Sequence, residues 1–211
     1  MKFTSKIFTP NGKWHSKYSL TEKMFGISCI CILIGGLLIL FNNTLHINSL
    51  GLIGGILSIT SGALIVLSNI ISPFEYENLY GKFSGTISID EDEIIIDNKH
   101  FILTDTTAIE LKLDSYYGKQ TNNRRIGPRY YQGVNNEISI LINKEIVRTF
   151  FLISSEDHLE KVEKIIFNII VKEKIKFKYR YLDYISDDLK DTSTYKQFIQ
   201  KLKNEKRLLV K

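Results

Sequence analysis

The chain has 211 residues, 44% of them hydrophobic, and 28 Lys and Arg against 23 Asp and Glu give a net charge of +5. That length allows one ordinary domain and something small beside it. The charge is too modest, and too localised, for the broad basic face of a nucleic-acid binder.

Residues 1 to 23 form a basic leader, with Lys2, Lys6, Lys13, Lys17 and Lys23 against the single acid Glu22. Almost all of the net charge therefore sits there. Beside a membrane helix, such a segment lies against anionic lipid headgroups, each charge contributing about 1 kcal/mol.

Met24 to Phe41 (MFGISCICILIGGLLILF) and Leu50 to Ile71 (LGLIGGILSITSGALIVLSNII) contain no charged residue. At 1.5 Å per helical residue they span about 27 Å and about 33 Å, which bracket the hydrocarbon core of a bilayer. Residues 24 to 72 are thus predicted to be a transmembrane hairpin, closed by the short connection Asn42 to Ser49. A cleaved signal peptide needs a small-residue cleavage site, which FNNTLHINS does not offer. The connection has no Lys or Arg, so the positive-inside bias places both termini in the cytoplasm. Cys29 and Cys31, two residues apart, point to different helix faces and read as apolar fillers. In the second run Gly51, Gly55, Ser58 and Gly62 form a narrow small-residue stripe that lets another helix approach. The approach is either within the hairpin or from a second copy or a larger membrane complex, with Cys29 and Gly36 as a possible counterpart.

After Pro73 the texture changes. KFSGTISI (Lys82 to Ile89), EIIID, HFILT, AIELKLD (Ala108 to Asp114), EISILI (Glu137 to Ile142) and IVRTFFLI predict at least six strands of an antiparallel sheet. Ser154 with Asp157 reads as a capping box, and Leu159, Val162, Ile166 and Ile169 fall at helical spacing. KIKFKYRY (Lys174 to Tyr181) alternates and is expected as one more strand or an extended arm. A last helix around Ser193 to Leu209 carries Tyr195, Phe198, Ile199 and Leu202 on one face. The expected organisation is a leader (1–23), the hairpin (24–72), a β-rich domain with its closing helix (73–182) and a helical tail (183–211).

A transmembrane hairpin followed by antiparallel strands and one amphipathic helix resembles bacterial membrane proteins with a pleckstrin-homology-like cytoplasmic domain. The resemblance covers Lys82 to Lys172 plus the hairpin. It implies an α+β membrane protein with an antiparallel sheet or barrel closed by a helix. Abundant Ile, Lys and Asn also suit a bacterium with an A/T-rich genome, and hence a cytoplasmic-membrane location. Family members often hold phosphoinositide headgroups through basic residues near the first hairpin, but here that turn reads Asp90-Glu91-Asp92-Glu93, which repels phosphate.

Phosphate-cradling loops, HExxH, GxSxG and paired CxxC motifs are absent, and His15, His46, His100 and His158 are scattered. No enzyme, metal or cofactor is expected. The stretch DSYYGKQTNNRRIGPRYYQGVNN (Asp114 to Asn136) joins two strands and concentrates Tyr116, Tyr117, Lys119, Arg124, Arg125, Arg129, Tyr130 and Tyr131. Arg and Tyr are favoured at protein interfaces, and the same pair serves single-stranded nucleic acid. The stretch reads as a plain connection, a protein or headgroup contact, or a nucleic-acid grip. The functional expectation is a non-enzymatic, membrane-anchored protein whose cytoplasmic domain contacts membrane lipids, a protein partner or a second copy. The alternative is a membrane-tethered DNA-binding regulator.

Overall fold

The computed structural model describes residues 1–11, 18–45, 48–104, 106–121, 126–142 and 145–208. In chain order the elements are β1 (Phe3–Pro10), α1 (Leu20–Leu45), α2 (Asn48–Ile71), β2 (Gly81–Ile89), β3 (Glu93–Ile96), β4 (Lys99–Ile102), β5 (Ala108–Lys112), β6 (Tyr117–Gln120), β7 (Tyr130–Gln132), β8 (Asn136–Ile142), β9 (Glu145–Phe151), α3 (Glu156–Val171), α4 (Asp187–Lys190) and α5 (Ser193–Asn204). They form two compact units. A sheet unit holds Met1–Gly12, Tyr80–Lys119 and Gln132–Lys211; a hairpin unit holds Lys13–Leu79 and Gln120–Tyr131.

All six expected strands are present. The sheet has a seventh, because the leader begins with one. In the order β4-β3-β2-β1-β9-β8-β5, β1 is the middle strand. It pairs antiparallel with β2 (Phe3 with Ile89) and with β9 (Ile7 with Phe151). Phe3, Ser5 and Ile7 point inward while Thr4 and Lys6 point out, the period-2 alternation of a half-buried strand. Phe3 is fully buried, edge-on to Phe151 at 5.7 Å and stacked at 4.3 Å on His158. The His158 ring also bridges Ser154 Oγ (3.0 Å) and the Thr4 carbonyl (3.2 Å), and burial lowers its pKa. A basic leader was therefore the wrong reading for residues 3 to 10. They are core, and Lys2 and Lys6 belong to the strand's margin and outer face.

One register irregularity in β1–β2 lies between Lys6 and Phe8. Opposite it, Gly85 has φ +72, and a Cβ there would collide with the Asp97 carboxylate, which accepts a bond from the Thr86 amide at 3.2 Å. Only glycine satisfies both the positive φ and the space.

The sheet does not close into a barrel: β4 and β5 are its edges. KIKFKYRY does not supply the missing strand, contrary to its alternation. Its end begins a 3₁₀ segment, Tyr179–Tyr184, instead. The Ile109 amide donates to Tyr181 Oη at 3.3 Å and Arg180 pairs with Glu110 at 2.7 Å, so this segment covers the β5 edge. Covering an edge serves the same end as pairing it.

α3 closes the core with Val162, Ile165, Ile166, Ile169 and Ile170 buried against Ile87, Ile89, Ile138 and Ile140. Its N-cap is Ser155, one residue beyond the expected Ser154, with Oγ accepting from the His158 amide at 3.2 Å. α5 buries Phe198 and Leu202, with Tyr195 and Ile199 half-buried. Three of the acids at the β2–β3 turn are also tied in. Glu91 takes bonds from Lys172 and from Asn168 Nδ2 (2.9 Å), Asp92 pairs with Lys174 at 2.5 Å, and Glu93 pairs with His100 at 2.8 Å. The Lys172 bond holds the Glu91 carboxyl below its usual range.

The core role of β1 gives a direct expectation. Phe3→Ala should lower unfolding free energy in detergent by about 3–5 kcal/mol, whereas Lys2→Ala should change it by less than about 0.5 kcal/mol. Denaturant titration of the two variants checks this, and equal midpoints would contradict the buried strand.

Candidate functional site

Between the paired strands β5 and β8 the chain makes an excursion that includes the ladder of β6 and β7. Its stem belongs to the sheet unit and is closed by Asn136, which is fully buried. Asn136 Oδ1 accepts from the amides of Asp114 (3.0 Å) and Ser115 (3.2 Å), and Nδ2 donates to the carbonyls of Ser115 and Gly133 (2.8 Å each). One amide side chain thus satisfies four backbone groups. Gly133, at φ +69, brings its backbone so close to the Tyr117 amide that a Cβ would lie 2.4 Å away.

The distal arm, Gln120–Tyr131, belongs to the hairpin unit. There it is bonded to the residues that follow α2. Ser72 Oγ donates to the Gly127 carbonyl at 2.6 Å, the Arg129 and Tyr130 amides donate to the Glu75 carbonyl at 2.9 and 3.1 Å, and the Glu77 amide donates to the Tyr130 carbonyl at 2.9 Å. The rings of Tyr76 and Tyr130 stack at 5.2 Å. Thr121 closes the arm on itself through Pro128 (3.0 Å) and Arg129 (2.7 Å).

The same corner caps α1. Ser19 and Glu22 form a reciprocal capping box, with Ser19 N–H to Glu22 Oε2 at 2.7 Å and Glu22 N–H to Ser19 Oγ at 3.2 Å. The Glu75 carboxylate accepts from the Leu20 amide (2.7 Å), the Thr21 amide (3.3 Å), Ser19 Oγ (3.1 Å) and Thr21 Oγ1. Amides left open by the first helical turn, with their partial positive charge, are thus occupied by carboxylates. Sequence reading missed Asn136, Ser19 and Glu75. Ser19-x-x-Glu22 was the one legible signal.

Of the contact-loop residues, Arg129 and Tyr117 are exposed, while Tyr130 and Tyr131 are half-buried in β7. Tyr116 is half-buried in the sheet unit with the Lys119 ammonium 5.9 Å from its ring centre. Arg124 and Arg125 lie outside the described residues, as do His15 and His46. The structure gathers Arg129 and Tyr130 at the hairpin base and leaves Tyr116 and Lys119 in the other unit.

α1 and α2 are antiparallel, and their closest approach is Gly35 to Gly54. A Cβ on Gly54 would lie 2.6 Å from the Gly35 carbonyl, and one on Gly35 would lie 2.8 Å from the Gly54 carbonyl and from Ser58 Oγ. A Cβ on Gly51 would lie 3.0 Å from the Asn42 side chain. Gly51 and Ser58 of the expected stripe therefore serve the hairpin. Among the described residues, nothing outside their own helix lies within 4 Å of a Cβ on Gly55 or Gly62. The hairpin face runs instead through Gly51, Gly54, Ser58 and Ser61, turned about one residue from the expected stripe. Ser58 and Ser61 bond back to the carbonyls of Gly54 (2.9 Å) and Leu57 (2.6 Å), which removes their polar cost in an apolar setting.

A second feature of the sheet unit is an acidic trough. Two adjoining cavities of about 330 and 300 Å³ share Glu163 and Ser186; Asp183 lines the first, Glu156, Glu160 and Asp188 the second. Burial pushes the Glu163 carboxyl above its ordinary range, and Glu160 and Asp188 add to the shift, against the Ser186 hydroxyl and Lys119. Among the described residues no three His, Cys, Asp or Glu side chains are grouped to hold a metal ion.

No protein-family model matches the chain, nor does any curated protein or solved structure.

Two outcomes follow from this geometry. Gly54→Ile should disrupt helix packing and lower thermal stability in detergent while Gly55→Ile is near neutral, and the reverse order would refute the assigned face. Glu163→Gln removes a charge that the fold holds at a cost. It should raise the melting temperature at neutral pH, and the gain should vanish below the ordinary glutamate value of 4.5, where both states are protonated. A gain of equal size at both pH values would contradict the burial argument.

Proposed function

We propose that this is a non-enzymatic, membrane-anchored interaction protein, with a pleckstrin-homology-like sheet unit held at the cytoplasmic face by an inserted helical hairpin. The observation that carries the reading is where the helices are inserted. Two helices apolar enough to span a membrane leave from β1 and return to β2, which pair in one sheet, and the Asn11 amide donates to the Tyr80 carbonyl at 3.1 Å where the strands end. Only 11% of each apolar window is buried, so outward side chains such as Leu33 and Ile59 need a nonpolar surrounding. Seven antiparallel strands packed under one amphipathic helix support the family resemblance. Lys13, Lys17 and Lys23, which precede or begin the first apolar run, support a cytoplasmic orientation.

Two measurements test the proposal. In a Cys29→Ala, Cys31→Ala background, an impermeant thiol reagent applied to intact cells should modify His46→Cys and spare Glu205→Cys. Modification at 205 would overturn the orientation. Replacing Arg124, Arg125 and Arg129 with serine should reduce binding to the recovered partner or to anionic vesicles, while Arg129→Ser alone, at an exposed position, should leave stability almost unchanged. Equal binding of partner and vesicles by parent and variant would remove the excursion as the contact.

A further inference from the structure

The hairpin unit places an unusual group of side chains around the outer ends of α1 and α2. Tyr18 and Leu20 at the start of α1 and Phe74 after α2 are strongly exposed, Phe74 by 79%, and Lys23 is exposed in the first turn of α1. The arm adds exposed Ile126 (38%) and Arg129 to the same unit. The arm is fixed there by backbone bonds from Arg129 and Tyr130 to Glu75 and by Ser72 to Gly127, so its height along the helix axis is set by the helices themselves. α1 has 26 residues and α2 has 24. At 1.5 Å each they are about 39 and 36 Å long, longer than the hydrocarbon core, so their ends reach the headgroup layer.

From this geometry we infer that the arm is an interfacial clamp, laying Ile126 at the acyl boundary and Arg129 on the anionic headgroups of the bilayer that α1 and α2 cross. The inference rests on the membrane-anchor reading and names the partner of its contact loop. Aromatic side chains favour the headgroup level and arginines extend toward phosphates there, which fits the mixture of Tyr18, Phe74, Lys23 and Arg129. The helix N-terminus does not compete for the phosphates, because Glu75 and Glu22 already occupy its amides. Among the described residues of this corner, Lys23 and Arg129 carry exposed charge that can meet an anionic lipid. The arm's attachment uses the Arg129 backbone, so its guanidinium is not needed to hold the arm in place.

The experiment uses the full chain in vesicles of phosphatidylcholine, with and without phosphatidylglycerol, carrying one spin label in a Cys29→Ala, Cys31→Ala background. Labels at Leu33→Cys on α1 and Ile102→Cys on β4 give the lipid and water references. A label at Ile126→Cys should be shielded from a water-soluble nickel complex and accessible to oxygen, between the two references. Arg129→Ser should raise its nickel accessibility about fivefold in anionic vesicles, the loss of one basic contact, and leave it unchanged in phosphatidylcholine; Arg129→Lys should restore the parent value. If the 126 label matches the 102 label in both lipids, the clamp is refuted and the anchor reading stands. If the 33 label is also water-accessible, both are refuted. If Arg129→Ser changes nothing in anionic vesicles, the headgroup contact is refuted.

Discussion

The structure depends on a strand that must be supplied from before the hairpin. β1 lies between β2 and β9 and buries Phe3 and Ile7 in the common core, so the sheet cannot be completed until the chain has passed through both apolar helices and returned. Pairing β1 with β2 brings the two chain crossings together at Asn11 and Tyr80. An antiparallel helix pair likewise keeps its outer ends together, as the Asn78 to Tyr18 bond shows. The hairpin is therefore an insertion in a sheet, not a tag ahead of one.

The excursion between β5 and β8 uses two different devices. At its stem, a single buried Asn136 satisfies four backbone groups, which a short apolar side chain could not do without leaving donors and acceptors unpaired. At its arm, Gly127, Arg129 and Tyr130, which read as part of a free loop, are bonded through their backbone to Ser72 and Glu75. Glu75 serves both: its carboxylate caps α1 while its carbonyl holds the arm. The two functions meet in one residue just beyond the apolar span.

Charged groups in the sheet unit divide by environment. Glu91 and Asp92 of the β2–β3 turn are compensated by Lys172 and Lys174 after α3, so an acidic run that looks like an open turn is a latch on the closing helix. Glu163, beside Glu160 and Asp188, has less compensation, and burial raises the pKa of its carboxyl. Neighbouring elements, not the local sequence, decide which acids are satisfied.

By itself, the sequence determined the elements whose signal is local: two uncharged runs of helical length, three alternating strands with three more short β-branched or aromatic ones, and the amphipathic face of α3, because burial on one face and residue type can be read residue by residue. It also held the concentration of Arg and Tyr in the excursion. Tertiary structure alone decided the rest. FTSKIFT alternates as a strand, but its partners lie on the far side of the hairpin and its lysine reads equally well as part of a leader. KIKFKYRY alternates yet does not join the sheet, and its last residues enter a 3₁₀ edge cover, since Tyr181 and Arg180 find their partners in β5. Gly54 rather than Gly55 meets α1, because one residue's rotation about the helix axis is fixed only by what packs opposite. These choices depend on contacts distant in sequence, where composition and period carry no register.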